Sequence, residues 1–164
     1  MKAKLVVEGK EFDIEINDPG LQKLVASPKK TGYERTRMYY VFYGDGEIAR
    51  LGDCNCSQDE SYYSEANYYS SEVVANNNHR ADKLMRQLRR FAVEHREKDI
   101  DWSRQDYKYL IRFGHGDKKL YVDNEILGHD FGMIPFDSKN TAQLAIDAYH
   151  DELIWYFTEY KDSL

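Results

Sequence analysis

Two glycine-centred turns flanked by aromatic strand formers constrain this chain more than any other feature. FYGDGEI (42–48) and RFGHGDKKL (112–120) both read as hairpins. Downstream, NYYSSEVVA (67–75) lies against IPFDSKNTA (134–142). Gly44 faces Gly114, 70 residues on, and Ser71 faces Ser138, 67 residues on, a difference one loop insertion absorbs. Either pattern alone is common, so their shared order carries the reading: one supersecondary unit used twice. A three-stranded sheet with one helix leaves an edge and part of a face open, and two such units cover one another. The expected fold is therefore α+β: a mostly antiparallel sheet built from two ββ(β)α repeats, two long helices, and an N-terminal β-hairpin plus short helix. The expected division is 1–31, 32–100 and 101–164, together one compact domain.

In the opening segment, alternation in KAKLVVEGKEFDIEI predicts a hairpin over 2–16. Asn17 or Asp18 then caps a short helix with Pro19 in its first turn and Leu21, Leu24 and Val25 inward. Strands are expected at 38–43 and around Ile48–Leu51. The polar stretch 52–64 reads as the most mobile loop. From a cap at Ser70 or Ser71, Val74, Ala81, Leu84, Met85, Leu88, Phe91 and Ala92 follow helical spacing. Asn76-Asn77-Asn78 is a poor helical run that predicts a strained or broken first turn. Further strands are expected near 107–113, 118–123 and 133–136. A final helix over 139–161 carries Ala142, Ile146, Tyr149, Leu153, Tyr156 and Tyr160 on its inward stripe. Leu144, Ala148 and Trp155 fall nearly opposite.

A chain of 164 residues buries roughly two thirds of its unfolded surface and needs no disulfide or metal to fold. Its net charge of −6, with 23 cations mixed among 29 anions, disfavours nucleic acid as a partner and makes a weak DNA mimic. No apolar run approaches the ~20 residues of a membrane span, and MKAKLVVEGKEF lacks a signal-peptide core. Cys54 and Cys56 without a disulfide framework point to a reducing cytoplasm.

The residues that invite chemistry each have a simpler reading. Gly44-Asp45-Gly46 and Gly114-His115-Gly116 lack the length, lysine and following helix of a phosphate loop. Cys54-x-Cys56 is two ligands short of a structural zinc site, and Asp53 and Asp59 are poor soft ligands. His115, His129-Asp130 and His150-Asp151 come without a nucleophile motif. No catalytic, cofactor-binding or metal residue is therefore expected. Lys83, Arg86 and Arg90 share one side of the middle helix, a basic face that Glu94 and Glu97 temper. Leu144 and Trp155 offer an apolar side to a partner unless the chain itself covers them, and Tyr62 and Tyr63 offer rings from a polar loop.

KTGYER (Lys30–Arg35), YYVFYGDGEI, NYYSSEVVA with LMRQLRRF, the Asp101–Ile111 stretch and IPFDSKNTAQLAIDAY…ELIWYF together resemble a broad group of small accessory proteins encoded by phages and prophages of Gram-positive bacteria. The resemblance covers most of the chain. It implies action in the infected cell's cytoplasm and carries over no functional residue. Gly52–Ser64 is not a feature of that group. The resulting expectation is a non-enzymatic protein that binds a host protein, plausibly a component of antiviral defence. The alternatives are a nucleotide-signal sponge and a nucleic-acid-binding regulator using Lys83, Arg86 and Arg90. A homo-oligomer stays open.

Overall fold

The computed structural model describes residues 2–7, 10–15, 31–44, 46–101, 106–126, 128 and 132–160. Two compact units divide the chain, Met1–Thr31 and Gly32–Leu164. The first holds an antiparallel hairpin of β1 (Lys2–Val7) and β2 (Lys10–Glu15), with Lys2 opposite Glu15 and Val7 opposite Lys10. The short helix expected after it, and His129-Asp130, lie outside the described residues.

The second unit is α+β. Its first hairpin pairs β3 (Met38–Phe42) with β4 (Ile48–Gly52) around a turn in which Gly46 takes φ +92°. Tyr39 and Val41 alternate inward on β3 and are fully buried, the period-2 signature of a half-buried strand. Tyr69 pairs with Tyr40 through both backbone bonds, at 2.8 and 3.0 Å. A helix, α1 (Ser57–Ser64), lies between β4 and this bridge. Ser71 caps α2 (Glu72–Glu94) by accepting from the Val74 N–H, and Ala75, Ala81, Leu84 and Leu88 form its buried stripe.

The second hairpin pairs β5 (Lys108–Gly114) with β6 (Lys119–Glu125). Phe136 pairs with Tyr109 through both backbone bonds, at 2.9 and 3.0 Å. Ser138 caps α3 (Lys139–Ala148) by accepting from the Thr141 N–H at 3.0 Å. A break at Tyr149 leads to α4 (His150–Trp155) and a π-helical turn over Tyr156–Tyr160.

The main core joins Leu84 and Leu88 of α2 to Phe136, Ala142, Ala145, Ile146 and Leu153, with Tyr109, Ile111 and Val122 of the second hairpin packed against them. A smaller core gathers Tyr39, Val41 and Tyr68 beneath Ala49, Leu51 and Tyr62. Gly32 takes φ +89° beside α2, where a Cβ would meet Val74 at 2.5 Å. Only glycine fits that approach.

Five expectations are corrected. Among the described residues the strands do not join into one mostly antiparallel sheet; they form three separate two-stranded sheets, the last two each extended by a single bridging residue. Residues 52–64 are not simply a loop, because Ser57–Ser64 is helical. The asparagine run leaves α2 unbroken. The Asn78 amide donates to the Tyr33 hydroxyl and the Val74 carbonyl and accepts from the Tyr160 hydroxyl, so a half-buried network satisfies what a solvated asparagine would take from the backbone. The last helix is interrupted: Tyr149, at φ −122° and ψ 22°, resets the helical phase. Trp155, opposite Leu153 on α4, is buried as well. It is 7% exposed, with the Arg80 guanidinium 3.9 Å from its ring and Arg80 held by Glu152 at 2.8 Å. Trp155 is thus covered by its own chain and is no partner-facing residue, whereas Leu144 remains 45% exposed.

Phe136 closes the main core and carries the bridge to β5. Phe136→Ala is expected to lower unfolding free energy by about 3–5 kcal/mol in urea titration, and Ser138→Ala by about 1 kcal/mol. A Phe136 variant as stable as the native chain would contradict this packing.

Candidate functional site

The loop between β4 and α1 is built on two aspartates. Asp53 accepts from Arg35 Nε at 2.8 Å, from the Asn55 N–H at 2.9 Å and from the Tyr68 hydroxyl at 3.0 Å. Arg35 reaches on to Glu60 at 2.6 Å. Led by the Arg35 hydrogen bond, these donors hold the Asp53 carboxyl below the usual carboxylate range. Asn55 takes φ +57°, a left-handed conformation that asparagine tolerates better than most residues. That kink brings the flanking cysteines, both exposed to solvent, back over the first turn of α1.

Asp59 sits in that turn and is buried. Its Oδ1 accepts from the Tyr39 hydroxyl at 2.6 Å. Its Oδ2 accepts from the Cys54 and Cys56 N–H groups at 3.0 Å each, and both thiol sulfurs lie 3.3 Å away. The helix N-terminus favours the same negative charge. The Tyr39 hydroxyl, then the Cys56 N–H, hold the Asp59 carboxyl far below its ordinary range. Burial and the Asp59 hydrogen bond push the Tyr39 phenol up. The Cys54 thiol is pushed up to about 11, first by its hydrogen bond with Cys56 and then by Asp59. The ligating atoms of Cys54, Cys56 and Asp59 all lie within 4.8 Å of one another.

Tyr62 and Tyr63 ride on α1 rather than in a loop. Tyr62 turns toward Tyr39, at 6.3 Å between rings, in the smaller core. Tyr63 stays 46% exposed, edge-on to Tyr68 with Arg35 5.7 Å from its ring centre. Lys83, Arg86 and Arg90 are exposed on α2, and Arg90 pairs with Glu94 at 2.9 Å. The structure therefore does not bring Tyr63, Leu144 and the basic face into a single site. Sequence reasoning missed the meeting of Asp59 with the two thiols. Its available signal was spacing: in Cys56-x-x-Asp59 the acid falls at the third position of a helix, where a side chain reaches back to the cap.

A second feature is an open groove of about 470 Å³ among α2, the second hairpin and the π-helical turn. Met85, Ile111, Phe113, Ile134, Tyr156 and Phe157 supply much of its apolar wall. At its edge Arg112 Nε is an ion-pair distance of 2.7 Å from Asp123, without hydrogen-bond alignment. Compared with protein-family models, curated proteins and solved structures, the chain matches none of them.

Asp59 contributes stability that is present above the unfolded carboxyl pKa of about 3.9 and lost as pH falls toward its lower folded value. Asp59→Asn should therefore melt below the native chain at pH 7, with the gap narrowing below about pH 4. Thermal melts of both proteins across this range check it, and a gap independent of pH refutes the assignment.

Proposed function

We propose that this is a non-enzymatic binding protein of a phage or prophage. In this reading it engages a host protein in the bacterial cytoplasm, a component of antiviral defence. The resemblance stated above supplies the biological context. The observation that carries the binding mode is the open groove beside α2, where apolar side chains such as Met85 and Phe157 stand among polar groups such as Arg112 and His115. Protein interfaces concentrate their energy where an aromatic or aliphatic anchor fills such a pocket. A nucleotide sponge is less well supported, because Arg112 at the groove edge is already paired with Asp123. A nucleic-acid regulator is weakened by the pairing of Arg90 with Glu94 on the basic face.

We also infer that 32–100 and 101–164 are two copies of one ββ(β)α block. Supporting this, each runs hairpin, bridging aromatic, serine cap and helix, and the paired positions Ala75 and Ala142 are both fully buried. The groove then lies where the helix of one copy meets the hairpin of the other.

Affinity capture with the tagged full chain from a Gram-positive lysate tests the binding mode. One host protein should be retained at near-equal stoichiometry. Met85→Trp, which fills the groove, should weaken binding of that protein by about 2 kcal/mol, roughly 30-fold. Val93→Ser, on an exposed part of the same helix, should bind as the native chain does. Absence of a stoichiometric partner, or equal binding by the Met85 variant, refutes the proposal.

A further inference from the structure

The loop that opens α1 has the chemistry of an open metal site, independent of the groove. We propose that Cys54, Cys56 and Asp59 bind one Zn²⁺ or a similar borderline-to-soft divalent ion, with the fourth position left to water. Three features support this. First, the donor set is two sulfurs and one carboxylate oxygen, which zinc accepts. Second, the spacing fits. With Zn–S of about 2.3 Å and Zn–O of about 2.0 Å, a tetrahedral S···O edge is about 3.5 Å. Both observed S···O separations are 3.3 Å. Third, the carboxylate is already oriented. Tyr39 occupies Oδ1 at 2.6 Å, leaving Oδ2 turned toward the sulfurs, as outer-shell partners do for metal-bound carboxylates.

The apo arrangement leaves room for the exchange. Oδ2 faces two backbone N–H groups and two thiols, more donors than an oxygen has lone pairs. Thiols are weak donors. On binding, each S–H bond breaks, its proton passes to solvent, and two S–Zn bonds and one O–Zn bond form. The charge changes from −1 on the carboxylate with two neutral thiols to −3 on the ligands plus +2 on the ion, so the net charge is conserved at −1. The O–Zn bond takes one Oδ2 lone pair, so one of the two backbone N–H bonds to Oδ2 is given up on binding and the other is kept. The exposure of both cysteines gives the ion a path from solvent.

The test is titration of the fully reduced, full-length chain with Co²⁺, followed by competition with Zn²⁺. One equivalent of Co²⁺ should produce a thiolate-to-cobalt charge-transfer band and the intense visible bands of tetrahedral coordination, and Zn²⁺ should abolish both. Cys54→Ser and Cys56→Ser alter exposed side chains, so the fold should survive, and each should weaken binding at least roughly tenfold. Asp59→Asn should weaken it as well; because Asp59 is buried, the cysteine variants decide if that protein fails to fold. A reduced chain without the charge-transfer band overturns the proposal. So does unchanged affinity in both serine variants, or a chain whose only cysteine chemistry is a Cys54–Cys56 disulfide formed in air.

Discussion

The second unit depends on one helix serving two hairpins. α2 begins at the serine cap that follows the first hairpin, yet Leu84 and Leu88 are buried against Phe136, Ile146 and Leu153 beside the second. A two-stranded hairpin is marginal alone in water. Each hairpin here gains a single bridging residue and then needs an apolar cover. Burying a leucine side chain contributes roughly 1.5–3 kcal/mol, so the stripe on α2 is a principal cohesive element. Ala142 and Ala145, both fully buried on α3, present only a methyl each to this core.

Polar groups decide where the chain departs from its local preferences. Asn78 sits in a helix because three neighbours satisfy its amide. Asp137 lies buried where its Oδ2 accepts the Glu97 N–H at 2.7 Å and the Lys98 N–H at 3.3 Å, tying the segment after α2 to the start of α3. Asp59 does the same for the loop before α1. In each case specific donors or acceptors reach the polar group and offset its loss of water, although Asp137 Oδ1 is buried without a partner. These contacts also place the thiols over a carboxylate, so the candidate metal site grows out of ordinary helix capping.

The α+β class was legible from the strand and helix patterns. So was the stripe Ala81, Leu84 and Leu88 on α2, because a 3.6-residue period shows in the sequence whenever one helix face is buried. Helix α1 was not legible. SQDESYYS has no apolar stripe, and its start is set by Asp59 reaching back to the Cys56 N–H. The covering of Trp155 was hidden for a different reason. Trp155 lies opposite Leu153 on the same helix, α4, and it is covered there by Arg80 of α2, a residue distant in sequence.

Local chemistry therefore determined which stretches become strands, which serines start helices and which face of α2 is apolar, since these follow from backbone preference and periodicity within a few residues. Tertiary structure decided the rest: that the described strands stay in separate pairs, that an asparagine run remains helical, that Trp155 is covered, and that Tyr39 reaches Asp59. Those outcomes depend on donors, acceptors and apolar surface brought from distant parts of the chain, and no local pattern encodes which of them will meet.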